Sequence, residues 1–536
     1  MVKETVEDRM PSDEESLAFE EIISKIIEQK PDKQSLENIK REVVGKYKLT
    51  KFPRNSEILD VAGDRRDQVI QYLMVRNVRS VSGVNVISVM TAPFSCRHGA
   101  CIFCPGGPTW GTPMSYTGRE PASMRAIQNG FDPILQINSR IEQLEKTGHN
   151  AEKLDIIVMG GTFNSTPTEY QDEFMLGVYE ALNQQPAKTI TEAKYLNQSA
   201  KYRCIGLTFE TKPDWCRQRD IIRMLNYGVT RVELGVQTLR DEVLKRVNRG
   251  HTLQDTQESF KALRDAGLKI TAHMMPGLPG TTPEIDIEDF RTLYYDAKYN
   301  PDEIKIYPTQ VMENTPLAEM TLRGEYTPLN NEETFDIILE AKKITPPWVR
   351  IKRALRDLPI TLVVDGPKWG DMRHRIQKKM KLVQDTCQCI RCREIGQNLY
   401  KRSDYTPNPE EFKLKDREYI AGDGEEHFLS FEDPEDILIG FLRLRYPSND
   451  VFISELEGAA IVRELHVYGS SLSIGEHNLA SFQHRGYGKL LLERAEEMAT
   501  DEGFAKLSVI SGVGVREYYE KYGYKLDGFY MSKKLS

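Results

Sequence analysis

The fold of this chain is decided by residues 84–104, V-N-V-I-S-V-M-T-A-P-F-S-C-R-H-G-A-C-I-F-C. An apolar segment with the composition of a β-strand runs directly into three cysteines, Cys96, Cys101 and Cys104. Thiolates at this density select zinc or an iron–sulfur cluster. A structural zinc requires four closed ligands, whereas a four-iron cluster held by three cysteines keeps one iron open for a substrate. His98 offers a fourth ligand, so a small zinc loop is the alternative.

Five further apolar segments of strand length follow, with helical segments between them. They span residues 155–161, 204–210, 231–237, 269–275 and 303–308. Apolar strands separated by helices predict a parallel sheet, and six such repeats predict an α/β fold built on a partial (β/α)6 barrel. In barrels of this kind the functional residues collect at the carboxyl ends of the strands.

The chain has 536 residues, which predicts three or four domains. We predict a helical and basic segment (1–80), the partial barrel (81–340), a basic linker (341–404) and a separate α+β domain (405–536). No apolar run approaches the roughly 18 residues that a membrane-spanning helix requires. The first residues are too acidic and polar for a signal peptide. The sequence therefore predicts a soluble cytoplasmic protein without a membrane partner, and it does not indicate an oligomeric state.

Positive charge is concentrated although the whole chain is acidic, with 72 Lys and Arg against 80 Asp and Glu. Residues 342–402 contain 16 Lys and Arg but only five Asp and Glu. A smaller basic stretch runs from Lys48 to Arg79. Concentrated positive charge on an acidic protein indicates a polyanionic partner such as nucleic acid. The alternative is a solvated face whose charges pair with acids elsewhere.

A second group of thiols, C-Q-C-I-R-C (387–392), lies inside the basic linker. Cys387, Cys389 and Cys392 can chelate one ion, and His374 is the nearest candidate for a fourth ligand. We expect zinc in a Cys3His site that orders a linker with little core of its own. Free thiols and a second redox cluster remain the alternatives.

The first cysteine loop, together with its partial barrel, resembles the radical S-adenosylmethionine superfamily. The common spacing in that superfamily is C-x3-C-x2-C, and this chain has C-x4-C-x2-C. M-G-G-T (159–162) matches the superfamily's glycine-rich turn beside the methionine moiety. The resemblance implies a [4Fe-4S] cluster and S-adenosylmethionine, whose reductive cleavage gives a 5′-deoxyadenosyl radical. The implied contacts of S-adenosylmethionine are Gly160, Gly161, Glu210 and Gln237, each of which is otherwise an ordinary residue of a turn or barrel rim.

The motif F-Q-H-R-G-Y-G-K (482–489) resembles the pyrophosphate loop of the GNAT acetyltransferases. There, backbone N–H groups and a helix N-terminus bind the phosphates of coenzyme A. Tyr518 or Tyr519, in R-E-Y-Y-E, would donate a proton to the departing thiolate, or would simply belong to the core. The implied acetyl-coenzyme A contacts are Glu464, Leu465, His466, Val467, Gln483, Gly486, Tyr487, Gly488, Lys489 and Tyr518.

A radical barrel joined to a GNAT domain, with F-E-T-K-P-D (209–214) and A-H-M-M-P-G-L-P (272–279), resembles the family of Elongator catalytic subunits of archaeal or bacterial type. The resemblance runs from about residue 50 to the end. It implies a tRNA wobble-uridine carboxymethyl synthase that converts acetyl-coenzyme A and S-adenosylmethionine into 5-carboxymethyluridine by radical chemistry. Its partners would be the tRNA anticodon stem-loop and an unidentified electron donor. Lys153 would reach acetyl-coenzyme A from the barrel side, or would be an exposed lysine at a strand start.

Two other functions fit part of the chain. A protein (histone-like) lysine acetyltransferase would use the barrel as a scaffold, which leaves the intact cysteine set without a role. A non-catalytic tRNA-binding module leaves both the cysteine loop and the coenzyme A loop unexplained. For tRNA, basic residues near 350–381 would bind phosphates. Trp348 and Trp369 would either stack on unpaired bases or lie in the core.

Overall fold

The structure is a computed structural model, and it describes residues 12–73, 84–356, 358–402, 404–469 and 486–535. The chain divides into two compact units, Met1–Ser80 with Asn138–Ala151, and Val81–Ile137 with Glu152–Ser536. Within the described ranges, the search for a helix long and apolar enough to cross a lipid bilayer found none.

The first unit begins with helices that pack around an aliphatic core. The helices are α1 (Asp13–Gln29), α2 (Lys33–Lys46), α3 (Asn55–Val61) and α4 (Arg66–Leu73). Ser12 and Glu15 form a capping box at the start of α1, which satisfies two backbone donors at the helix N-terminus. The apolar face of α1, including Ile22, Ile23 and Ile26, is fully buried in this core.

One helix of the barrel segment, Pro133–Lys146, belongs to the first unit from Asn138 onwards. The second unit otherwise begins with the barrel, in which strands and helices alternate. Its elements are β1 (Asn85–Met90), α5 (Pro121–Gln128), α6 (Pro133–Lys146), β2 (Lys153–Met159), α7 (Thr168–Asn183), α8 (Ile190–Asn197), β3 (Arg203–Thr211), α9 (Gln218–Tyr227), β4 (Arg231–Gln237), α10 (Asp241–Arg246), α11 (Leu253–Asp265), β5 (Lys269–Met274), α12 (Pro283–Tyr295), β6 (Glu303–Ile306), β7 (Val311–Met312), α13 (Pro316–Leu322), α14 (Asn331–Lys343) and β8 (Arg350–Arg353).

The barrel sheet has the order β1-β2-β3-β4-β5-β6-β8, and all of its pairs are parallel. The predicted partial barrel is confirmed, and its first six strands are those predicted from the sequence. The seventh strand, β8, lies in the segment predicted as a linker. Its four residues are too short and too basic to stand out as a strand, and Ile351 is the one apolar side chain that it buries.

The remaining elements form a small connection and a second sheet. They are β9 (Val363–Asp365), α15 (Met372–Leu382), α16 (Ile390–Arg393), α17 (Ile395–Lys401), β10 (Lys413–Ala421), β11 (Gly424–Glu432), β12 (Leu438–Tyr446), β13 (Ala459–Val467), α18 (Tyr487–Asp501), β14 (Lys506–Val509), α19 (Arg516–Glu520), β15 (Lys525–Asp527) and β16 (Tyr530–Lys534). The second sheet has the order β10-β11-β12-β13-β14-β16-β15. This confirms the predicted C-terminal α+β fold, whose sheet lies in the same compact unit as the barrel.

Buried ion pairs fix the C-terminal sheet to the amino end of the barrel, where its strands begin. Asp302, directly before β6, binds Arg463 of β13, and the same guanidinium binds Glu426 of β11. All three side chains are completely buried. The cysteine loop follows β1 and therefore lies at the opposite, carboxyl end. Strands of about seven residues separate the two ends by roughly 20 Å.

Candidate active site

The cysteine loop is held by neighbours that hydrogen-bond to its sulfur atoms. The backbone N–H of Ser115 donates to Cys104 Sγ over 3.1 Å. Arg249 Nη1 lies 3.7 Å from Cys101 Sγ, and the rest of this guanidinium donates to Gly235 O. Burial raises the pKa of the Cys104 thiol to about 11. The positive charge of a bound metal is therefore what makes this group a thiolate.

The three sulfur atoms of the cysteine loop are not gathered as closely as the ligands of a single zinc ion. Sulfurs on one tetrahedral zinc lie about 3.8 Å apart, and sulfurs on three different irons lie farther apart. Among the described residues, Cys96, Cys101 and Cys104 do not form a group whose ligand atoms all lie within 4.8 Å of one another. His98 does not complete such a group either, and its Nδ1 lies 3.1 Å from Lys212 Nζ. His98 Nε2 also lies 3.5 Å from Cys101 Sγ, so the preference for a cluster rests on the three-cysteine ligand set rather than on these distances.

The M-G-G-T turn after β2 requires its glycines. A Cβ on Gly160, which has φ 131°, would lie 2.2 Å from Thr91 Oγ1, and one on Gly161 would lie 3.3 Å from Met114 Cβ. Thr162 hydrogen-bonds to Cys96. The turn is thus packed against the cysteine loop, in the place where the sequence predicts S-adenosylmethionine.

Glu210 and Gln237 lie at the carboxyl ends of β3 and β4, on the same side of the barrel as the cysteines. Glu210 accepts a hydrogen bond from Tyr116 Oη over 2.8 Å. Gln237 has a left-handed backbone with φ 76°, and its buried Oε1 has no partner among the described residues. Such an unpaired polar atom and such backbone strain are typical of ligand sites.

Sequence reasoning missed a cluster of charged groups inside the barrel. Ligand atoms of Glu210, Glu233 and His273 lie within 4.8 Å of one another. Lys305 already forms ion pairs with both carboxylates, so an ammonium group takes the place that a metal ion would need. Burial alone would raise the pKa of Glu233, but Lys305 and Lys352 lower it well below its usual value.

Lys153 begins β2 at the amino end of the barrel, where the C-terminal domain lies. It pairs in register with Arg203 of β3, and Arg203 forms an ion pair with Glu517 of α19. Burial lowers the pKa of Lys153. The lysine is therefore close in the fold to the helix that carries Tyr518, as its predicted role requires.

The C-terminal sheet opens at the residues predicted to bind acetyl-coenzyme A. Strand β13 pairs with β14 only over its first four residues, from Ala459 to Val462. Its remaining residues, up to Val467, have no strand partner on that side among the described residues. Leu465 packs against the core of the domain. Glu464 points to the barrel, with Oε1 3.3 Å from Lys269 Nζ. Separated parallel strands expose backbone donors and acceptors to a ligand.

The start of α18 brings together some of the predicted contacts. Gly486 has φ 84° and precedes the helix, and a Cβ on Gly488 would lie 2.6 Å from Tyr518 Oη. Tyr487 instead donates to Pro409 O over 3.1 Å in the core. Lys489 is exposed and pairs with Glu493. Gln483 lies outside the described residues.

Tyr518 and Tyr519 have different environments. Tyr519 lies in the core of the domain, whereas Tyr518 packs against it from the side that faces Gly488. Burial raises the pKa of both phenols well above the usual value, so both stay protonated at neutral pH. Tyr518 is the better placed of the two to protonate a thiolate.

The second cysteine group converges as the sequence predicts, but without His374. The sulfurs of Cys387, Cys389 and Cys392 lie within 4.8 Å of one another, a spacing that suits a single tetrahedral ion. The buried ammonium of Lys342 lies 3.6 Å from Cys392 Sγ. His374 is exposed on α15 and is not part of the group.

Only some of the basic residues in the linker are exposed to solvent. Arg350 pairs with Glu394, and Lys352 pairs with Glu303 inside the barrel, so these two residues are not free for RNA. The ring of Trp348 stacks on Tyr419 at 4.4 Å, which places it in an internal contact. These positions correct the expectation that the residues near 350 all face nucleic acid. The exposed basic residues of this segment include Lys378, Lys379 and Lys381 on α15.

Four protein families match consecutive parts of the chain. They are the ELP3 N-terminal domain (16–81), the radical SAM superfamily (93–293), the radical SAM C-terminal domain (301–382) and the acetyltransferase (GNAT) family (394–524). Methanocaldococcus infernus tRNA uridine(34) acetyltransferase is 46% identical over 94% of this chain and 96% of its own length. Drosophila melanogaster Elongator complex protein 3 is 42% identical over 97% of this chain and 96% of its own. The solved structure of M. infernus Elp3 with an N-terminal deletion is 42% identical, with a TM-score of 0.75, and covers 85% of this chain and 100% of that one.

Proposed function

The chain belongs to the Elongator protein 3 family, which joins radical SAM and acyltransferase chemistry, and from this premise we propose that it makes 5-carboxymethyluridine at the wobble position of tRNA. Acetyl-coenzyme A would supply the two added carbons. The observation that supports this most directly is the placement of two sites on one barrel. A three-thiol loop follows the first barrel strand, and a sheet that matches the acetyltransferase family, with β13 and β14 separated, is fixed to the same barrel by buried ions.

At the carboxyl end, the residues present fit a cluster and its substrate. When bound, a [4Fe-4S] cluster on Cys96, Cys101 and Cys104 supplies the electron that cleaves S-adenosylmethionine. Arg249 and Ser115 hold the sulfur atoms by hydrogen bonds. The unpaired amide oxygen of Gln237 and the carboxylate of Glu210 offer acceptors to an adenosyl ligand.

At the amino end, the backbone of β13 would bind the arm of coenzyme A where β14 turns away. The N-terminus of α18 would hold its pyrophosphate. Lys153 would pair with the same anionic ligand from the barrel side. Tyr518 would protonate the sulfur when the thioester is cleaved.

The tRNA would bind through the exposed lysines of α15, since phosphate contacts dominate the affinity of basic surfaces for RNA. Trp369 is half-buried on the same segment, beneath the guanidinium of Arg375 at 4.3 Å. Trp369 and Arg375 together would form an aromatic and cationic surface on which an unpaired base stacks. Cys387, Cys389 and Cys392 would hold zinc with a fourth ligand other than His374, next to this surface.

The test is anaerobic reconstitution of the full chain with iron, sulfide and a chemical reductant. The holoprotein is then incubated with tRNA, acetyl-coenzyme A and S-adenosylmethionine, and the nucleosides are analysed by mass. We expect carboxymethyluridine from the wild type and none from Cys101→Ala. The matched control is Cys204→Ala, because Cys204 is a buried thiol of β3 that donates to Gly206 O. Coenzyme A release that ignores tRNA but requires a basic peptide would instead indicate a protein acetyltransferase.

A further inference from the structure

His466 of β13 has an unusual environment for a histidine between two protein folds. Its Nε2 is shielded from solvent and has no hydrogen-bond partner among the described residues. Its ring lies nearly parallel to Phe441, at 10°, and 4.3 Å from the ring of Tyr468. Buried imidazole nitrogens normally have partners. A ring fixed by aromatic contacts but unpaired at one nitrogen is prepared for a ligand or a water molecule.

The side chain points towards the amino end of the barrel. Glu464 and His466 are two residues apart on one strand and therefore share a face. Glu464 forms its ion pair with Lys269, the first residue of β5. Tyr468, two residues beyond His466, accepts a hydrogen bond from Arg350, the first residue of β8. His466 therefore lies between two contacts that join β13 to the barrel.

The barrel residues at this end also have unpaired polar atoms. Asp155 Oδ1 on β2 and Thr208 Oγ1 on β3 are buried without a hydrogen-bond partner among the described residues, and Arg231 Nε on β4 lies 3.6 Å from Glu303 Oε2 in an ion pair. These strands are neighbours in the sheet, and Thr208 pairs in register with Arg231. Grouped polar atoms of this kind are usually satisfied by internal water. These strands therefore contain buried polar atoms that internal water would satisfy.

We infer that His466 is the general base that activates water for hydrolysis of the thioester. This rests on the proposed function, in which the carboxymethyl group is released from coenzyme A by water. The inference depends on position. Nε2 of His466 is unpaired, the residue lies between two contacts with the amino end of the barrel, and it belongs to the part of β13 that no longer pairs with β14.

Other candidate bases at this site are already engaged. Glu464 Oε1 binds Lys269 and Oε2 binds Arg443, at 3.3 and 3.0 Å. Tyr518 stays protonated because burial raises its pKa. Burial, Arg350 and Lys269 lower the pKa of His466 to about 4, against the opposite effect of Glu464. The ring is therefore neutral at pH 7, and Nε2 can accept a proton.

The step balances with the groups present. His466 Nε2 takes one proton from water while the water oxygen attacks the thioester carbonyl carbon. The carbon–sulfur bond then breaks, and the sulfur leaves with the proton of Tyr518. The proton held on His466 restores the phenol of Tyr518 through a water molecule. The products are the thiol of coenzyme A and a carboxylic acid, which releases its proton to solvent.

The experiment compares His466→Gln and His466→Phe with wild type, and uses His427→Gln as the matched control. His427 lies on β11 of the same sheet, and it bonds to Asp416 and Glu425 rather than facing the barrel. Three quantities are measured on the reconstituted full chain with tRNA: release of free thiol, the affinity for a non-hydrolysable acetyl-coenzyme A analogue, and the mass of any uridine–coenzyme A thioester. Removal of a general base typically costs 10²–10⁴-fold in rate.

We expect thiol release to fall by about 100-fold or more in both His466 variants, with analogue affinity within about threefold of wild type. The tRNA-linked thioester should accumulate, a signature that a purely structural role would not give. Thiol release within twofold of wild type, or loss of analogue affinity in both variants, would overturn the assignment. If the wild type itself makes no carboxymethyluridine, the proposed function fails instead.

Discussion

Arg203 at the start of β3 donates a hydrogen bond to Glu517 of α19, with Nη1 and Oε2 2.7 Å apart. The turn before α19 lies directly on the same strand. A Cβ on Gly512 would lie 2.1 Å from Ile205 O, and one on Gly514 would lie 2.5 Å from Arg203 Cβ. The barrel therefore sets the position of the helix that carries Tyr518, and the acyl site depends on both folds.

Arg203→Ala should raise the KM for acetyl-coenzyme A and lower the free energy of unfolding only slightly. Glu517 is 44% exposed, so loss of this pair should cost less than about 1 kcal/mol of unfolding free energy. We expect the KM for acetyl-coenzyme A to rise severalfold because α19 is no longer tied to β3. Steady-state kinetics of thiol release measure this effect. Glu497→Gln, which breaks an exposed pair with Arg494 on α18, is the control, and an unchanged KM in Arg203→Ala would contradict the idea.

Asp302→Asn should destabilise the whole second unit. The carboxylate is completely buried among Arg463, Arg264 and Arg443. It lies in a network that joins the barrel to the C-terminal sheet. Removal of one partner from a buried ion pair leaves uncompensated charge and costs about 3–5 kcal/mol. Urea unfolding should show this as a lower midpoint, with Glu435→Gln, at an exposed pair with Arg402, near wild type. A shift as small as that of the control would mean that the arginines find other partners.

The lysines of α15 should account for part of the salt dependence of tRNA binding. Lys378, Lys379 and Lys381 are exposed, and each phosphate contact that is lost should reduce the slope of log affinity against log salt by about 0.7–0.9. We expect the triple alanine variant to lower the slope by about two. Alanines at the exposed Lys188, Lys521 and Lys525 are the charge-matched control. Filter binding over a salt series separates the two variants, and equal slopes would exclude α15 from the RNA surface.

Much of this architecture could be predicted from the sequence because it is encoded locally. The six barrel strands, the three-thiol loop and the glycines before α18 each occupy a few consecutive residues with a recognisable pattern. Strand β8 was missed because Arg350–Arg353 contains little apolar surface and is recognised only by its pairing with β6. His374 was chosen as a possible fourth ligand by its nearness in sequence, but the structure places it on the exposed face of α15, outside the group of Cys387, Cys389 and Cys392.

The charged interior of the barrel could not be predicted from a local sequence pattern. The predicted strand at 231–237, R-V-E-L-G-V-Q, places Arg231 and Glu233 two residues apart, and therefore on one face. Barrel interiors are usually filled by branched apolar side chains, so this face would be assigned to solvent. Only the register of β4 with its neighbours shows that Glu233 meets Lys305 and that Arg231 meets Asp155.

Acid should remove a measurable part of the stability through Glu432 of β11. Its buried carboxylate binds Arg417 through both oxygens, at 2.7 and 2.8 Å, and binds Arg393 at 2.7 Å. Burial would raise its pKa, but the two arginines lower it from 4.5 to about 2. A lowered pKa stabilises the fold above the unfolded value, and the stabilisation is lost as the pH falls from about 4.5 towards 2. Urea unfolding between pH 6 and pH 3 should therefore show wild type losing roughly 2 kcal/mol more than Glu432→Gln. Glu435→Gln should follow wild type, and parallel pH curves for wild type and Glu432→Gln would show that the arginines do not hold this carboxylate ionised.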